Sequence, residues 1–160
     1  MKKVLLALLL LMCVSLQAQE ISIIPKPAEM QIEEGEFSFN GKVVLCYPKI
    51  KDGGIDAVVD NFVKEIKKTT GVKLVKDRLK DGLFLGLHVE EFTKKGDAHI
   101  VLYVDEYMLK EAYRLSVTPK RINIAASTPA GFFYAFQTLK QLMPRNVMAG
   151  VYDESVDEWS

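Results

Sequence analysis

An α+β sandwich, in which a mostly antiparallel sheet carries two helices on one face, is the fold this sequence predicts. Three observations lead there. Two segments repeat apolar residues at helical spacing, and several short β-branched runs punctuated by Gly and Pro surround them. At 160 residues, the chain is also too short for a (β/α)₈ barrel, which typically needs ~250.

The first eighteen residues stand apart from the fold. Lys2 and Lys3, an apolar run from Val4 to Val14 and the close Leu16-Gln17-Ala18 predict a secretory signal peptide over 1–18. The run falls short of the ~20 residues that span a bilayer. Met12 stands before Cys13, where a lipid-anchored cysteine takes a small residue. An exported protein, periplasmic or secreted and without a lipid anchor, is therefore expected. Of 21 basic residues, losing Lys2 and Lys3 leaves 19 against 21 acidic, a net charge of −2. That balance excludes a nucleic-acid footprint. Losing Cys13 leaves Cys46 alone, so no internal disulfide is expected.

The domain is expected over 19–150, with 151–160 beginning a linker. Ile24-Pro25-Lys26-Pro27 is a proline-fixed lead-in, and the alternation around Gly35, from Met30 to Phe39, predicts a small hairpin. The run Lys42 to Tyr47 predicts a buried strand, ended by Pro48 and Gly53-Gly54. Ile55, Val58, Val59, Phe62, Val63 and Ile66 then form the stripe of an amphipathic helix, with Asp52 upstream as its cap and Gly71 after its last turn. Val72–Val75, Leu83–Val89 and His99–Val104 read as strands, and Ala112–Val117 with Arg121–Ala126 as a hairpin. Thr128-Pro129 starts a second helix and Pro144 stops it. Phe132, Ala135, Phe136, Leu139, Leu142 and Met143 make its stripe, while Phe133 and Tyr134 fall outside it and widen the apolar surface.

No active site assembles from these residues. Glu90-Glu91, Asp105-Glu106 and Asp153-Glu154 are sequence neighbours, and neighbours on a strand point to opposite faces, which does not make a catalytic carboxylate pair. His88 and His99 supply too few ligands for catalytic zinc, and each reads as a strand histidine on a half-exposed face. Cys46 lies in an apolar run and reads as a small hydrophobe. Gly82 to Gly86 lacks the Gly-Lys-Ser/Thr of a phosphate loop. Catalytic, cofactor and metal residues are all expected to be none.

Two stretches at opposite ends of the domain carry a resemblance. One is Ile24-Pro25-Lys26-Pro27 with Gly35-Glu36-Phe37. The other runs from Glu111–Val117 through Ile122–Ala126 to Gly131-Phe132-Phe133-Tyr134-Ala135-Phe136-Gln137-Thr138-Leu139 and Gln141-Leu142. Together the chain resembles the N-terminal domain of glycoside hydrolase family 20, the β-N-acetylhexosaminidases. The resemblance implies a zincin-like α/β domain without metal, packed beside a catalytic (β/α)₈ barrel that is its partner and meets the glycan. It implies that the Asp-Glu pair of the family's substrate-assisted mechanism belongs to that barrel, beyond this chain. Two other readings are family 84 glycosidases, which share the Gly-aromatic-Tyr-x-x-Gln-Thr-Leu pattern, and a free-standing carbohydrate-binding module. The module would need exposed sugar-stacking aromatics, whereas the sole tryptophan is Trp159.

Overall fold

A computed structural model describes residues 21–48, 54–79 and 98–153. Its elements in chain order are β1 (Val43–Pro48), α1 (Gly54–Thr70), β2 (Val75–Leu79), β3 (Ala98–Val104), β4 (Tyr113–Thr118), β5 (Arg121–Ala126), α2 (Pro129–Leu142) and α3 (Arg145–Ala149). The five strands form one sheet in the order β2-β1-β3-β5-β4.

The class is α+β as expected, but the sheet is mixed and not mostly antiparallel. Strands β2, β1, β3 and β5 run parallel, and β4 alone returns antiparallel beside β5. The physical reason lies in where the strands sit. All six residues of β1 are buried, as are His99, Ile100, Val101 and Leu102 in β3. Strands buried on both faces suit parallel pairing through crossover segments, whereas an antiparallel sheet commonly leaves one face to water.

Helices α1 and α2 do lie on one face, as predicted. Val43, Leu45, Ile100, Leu102, Ile122 and Ile124 point toward them and meet Ile55, Val59, Phe62 and Ile66 of α1 and Phe132, Ala135, Phe136 and Leu139 of α2 in one core. The Phe62 and Phe136 rings stack at 4.0 Å and 5° and join the two helices at its centre. On the other face Val44, Cys46 and Val101 form a smaller cluster with Leu79 and Tyr103.

Helix α2 starts where Thr128, in extended conformation, accepts the Gly131 N–H on its hydroxyl, with Pro129 at the first helical position. Gly71 follows α1 at φ +74°, the left-handed conformation that favours glycine, and donates its N–H to the Lys67 carbonyl. Pro144 ends α2 as expected, but the chain immediately forms α3, which buries Val147.

Further expectations need correction. Residues 30–39 form no strand and bend at Glu34, and Phe37 and Phe39 sink into the helix-side core in edge-to-face contact at 5.0 Å. The strand expected at Val72–Val75 begins at Val75 and continues to Leu79. Leu74 is buried beneath the helices, while Lys76 and Arg78 reach Asp60 and Asp56 of α1. The signal peptide, Asp52 and the Leu83–Val89 strand lie outside the described residues.

Candidate functional site

The described part of the chain is short of reacting groups and long on surface. Asp56 and Asp60 are held by Arg78 at 2.9 Å and Lys76 at 2.5 Å. The Asp60 hydrogen bond pushes the Lys76 ammonium above its usual range. Asp105 sits in a turn, where one oxygen accepts the Tyr107 N–H and the other lies 3.8 Å from Arg114. No pair of free carboxylates faces across a cleft from these positions. Among the described residues no group of three His, Cys, Asp or Glu side chains could hold a metal, and no helix is long and apolar enough to cross a membrane.

His99 corrects its expectation, for it is buried at 5% exposure and not half-exposed. It lies in β3, which has strands on both sides. Cys46 is buried as expected. Burial first, and then the Asp77 charge, raise its thiol to about 11 against a partial offset from Arg121. A thiol held so firmly protonated is no nucleophile at neutral pH. His88 and Glu90-Glu91 fall outside the described residues, as does Glu154 of the Asp153-Glu154 pair.

The distinctive geometry is on the outer side of the helix layer. Between α1 and α2 runs a groove of about 220 Å³, lined by Val58, Asn61, Phe62, Lys64 and Glu65 of α1 and by Phe133, Phe136 and Gln137 of α2. The stacked Phe62 and Phe136 are themselves only 2% exposed. Phe133 lines the groove and meets Tyr134 edge to face at 5.6 Å, and these rings stay 47% and 42% exposed. They are the two residues that the sequence pattern set off the stripe. Close by, Lys140, itself buried, donates from Nζ to Glu65 Oε2 at 2.7 Å and ties the helices together. Exposed aromatic rings beside an interhelical groove are suited to receiving a protein surface.

Known proteins share this fold. Residues 20–155 match the family model described as glycosyl hydrolase family 20, domain 2. The chain belongs to that family. The match extends across both resemblance stretches, so membership in family 20 displaces the family 84 reading. A β-hexosaminidase of Porphyromonas gingivalis is 26% identical over 129 residues, which are 79% of this chain and 14% of that protein.

The fold also recurs in solved structures. Streptomyces plicatus N-acetyl-β-hexosaminidase superimposes with a TM-score of 0.60 at 21% identity over 82% of this chain and 23% of that one. The Vibrio harveyi family 20 exo-β-N-acetylglucosaminidase gives 0.57 at 18%, over 84% of this chain and 17% of that one. Flavobacterium johnsoniae chitobiase gives 0.53 at 19%, over 91% and 20%. At these identities the structures establish a shared fold. The chain thus spans less than a quarter of the relatives it matches.

Proposed function

We propose that this chain is the non-catalytic supporting domain of an exported β-N-acetylhexosaminidase, an enzyme that removes terminal N-acetylhexosamine residues from glycans. A catalytic barrel carried by the same longer polypeptide is its partner. Residues 1–18 direct export, and residues 151–160 lead toward the barrel.

One observation carries the reading. The helix layer closes a core against the sheet and still presents Phe133 and Tyr134 on its outer side, with Phe133 lining the groove between the helices. Contiguous exposed apolar surface on a domain with a complete core marks an interface. Domain 2 membership and the small fraction of each relative that the chain spans supply a candidate for what covers it. The supporting domain contributes no acid, base or nucleophile in this reading. Its work is to hold the barrel's flank.

The test is hydrolysis of a chromogenic β-N-acetylglucosaminide by Gln19–Ser160, beside a version extended by the coding sequence downstream. Activity in the extended version alone is the expected result. Activity in the short chain would overturn the assignment of a non-catalytic role.

A further inference from the structure

We propose that Gln19 is a modification site: once residues 1–18 are removed, its side chain cyclises onto the new α-amine and the mature chain begins with pyroglutamate. The proposal rests on the export proposed above, and adds what becomes of the chain end that export creates.

Two neighbouring residues decide the chemistry. Leu16-Gln17-Ala18 closes the signal segment, so cleavage after Ala18 leaves Gln19 at the N-terminus. In the precursor the Gln19 nitrogen is held in a peptide bond with Ala18 and is no nucleophile. Cleavage converts it to an amine that titrates just above neutrality, so that a share of it is uncharged at neutral pH. Amine and side-chain amide carbon then belong to one residue, and joining them closes a five-membered ring, the arrangement in which an intramolecular attack is most favoured. The amine lone pair forms the N–Cδ bond, the Cδ–Nε2 bond breaks, and the displaced nitrogen takes up the proton and leaves as ammonia. No oxidant, reductant or second substrate is consumed. Gln31, Gln137 and Gln141 keep their backbone nitrogens in peptide bonds and have no such route.

The fold gives a blocked end a use. Ile23 is buried at 8% exposure, and the Ile24 backbone is held in both directions by the Gln141 side-chain amide, at 2.8 Å and 2.9 Å. Further along, the same lead-in delivers Phe37 and Phe39 to the core. An aminopeptidase that removed residues 19–22 would arrive at this anchored segment and begin to take it apart. Such enzymes grip a free α-amine, which the lactam lacks, as other N-terminal blocks do.

Mass spectrometry of the extended polypeptide, expressed with residues 1–18 and recovered after export, tests the site. The tryptic peptide that reports on it runs from Gln19 to Lys42, because the Lys26–Pro27 bond resists trypsin. It is expected to be lighter by one ammonia than its sequence requires, and the undigested protein should show the same loss. Gln19→Ala leaves a free amine, so a broad-specificity aminopeptidase should shorten that variant several-fold faster than the parent. A peptide that begins at Gln19 with its full mass would overturn the cyclisation and leave cleavage after Ala18 standing. A peptide that begins elsewhere would overturn both, and equal trimming of parent and variant would overturn the blocked end. Hydrolysis of substrate by the same polypeptide is read separately and decides the supporting role whatever its first residue.

Discussion

The side-chain amide of Gln141 closes in both directions on the backbone of Ile24. Its Oε1 accepts the Ile24 N–H at 2.8 Å and its Nε2 donates to the Ile24 carbonyl at 2.9 Å. The two residues are 117 positions apart, and each belongs to one of the two stretches that carry the family resemblance. One amide thus ties the proline-fixed lead-in to the last turns of α2. Gln141→Leu removes both bonds and should cost about 1 kcal/mol, because neutral hydrogen bonds at an exposed site contribute ~0.5–1.5 kcal/mol each at most. Limited proteolysis near Ile24 should accelerate while the unfolding midpoint moves little. An unchanged cleavage pattern would show that the lead-in is held by something else.

Gly131 is a contact requirement. A β-carbon there would stand 2.6 Å from the Ala112 carbonyl oxygen and 2.8 Å from Ala126 Cβ, where α2 leaves the β4–β5 hairpin. Gly131→Ala gains up to ~1 kcal/mol of helix propensity. It should nevertheless lose ~1–3 kcal/mol net, since a backbone carbonyl must move to make room. Thermal unfolding is expected several degrees lower than in the parent, and an increase would refute the close approach.

The stack between Phe62 and Phe136 should behave as one unit. Each Phe→Ala substitution removes a fully buried ring and is expected to cost ~3–5 kcal/mol. The double variant should lose less than the sum, by the ~0.5–1.5 kcal/mol that a ring pair contributes beyond its burial. Denaturant titration of the two single variants and the double variant measures the coupling. Simple additivity would count against a direct ring contact.

The Lys140–Glu65 pair is asymmetric, with the lysine side chain 11% exposed and the glutamate 53%. Glu65→Gln strands a buried ammonium and should destabilise by about 1–2 kcal/mol, less than the ~3–5 of a fully enclosed pair because water reaches the glutamate side. Lys140→Met leaves a half-exposed carboxylate that water can solvate, so its cost should be smaller. Equal losses in the two variants would contradict the asymmetry.

Cys46 gives the domain an alkaline dependence of known sign. Its folded thiol titrates at about 11, up from the usual 9.0. Between those values the folded state retains a proton that the unfolded state has released, so stability is fully present below pH 9 and falls as pH rises toward 11. Cys46→Ala should flatten that part of the decline in midpoint. The residual slope belongs to other groups, including Tyr47 and Tyr103, whose hydroxyls burial also pushes upward.

Local features of this fold were legible because neighbours in sequence decide them. The stripe from Ile55 to Ile66, the Thr128-Pro129 start, the Gly71 stop and the Arg121–Ala126 hairpin strand all appear where the pattern put them. Strand direction was misjudged although a signal for it existed. Lys42–Tyr47 and His99–Val104 are unbroken apolar runs with little alternation, which is how strands covered on both faces read. The helix after the first of them also marks a β-α-β crossover. Phe37 and Phe39 alternate as strand residues would, yet it is burial in the core that spaces them. On the docking face, Phe133 and Tyr134 were visible as departures from the stripe. The Gln141 clamp, the contacts around Gly131 and the groove itself join residues far apart in sequence, and no local pattern encodes them.

The ion pairs between α1 and β2 act as a gauge on the sheet's edge. Asp56 and Asp60 are four residues apart on the helix, a step of ~6 Å, and Lys76 and Arg78 are two apart on the strand, ~6.6 Å. The spacings agree, and the order is reversed, Asp60 with Lys76 and Asp56 with Arg78. A slip of β2 by one residue would turn Asp77 toward those two aspartates and take both cations away. A shift by two that sets Leu74 opposite Asp60 leaves that aspartate without its cation. An edge strand that exposes most of its residues, and has little apolar surface with which to choose its place, is thereby aligned by charge.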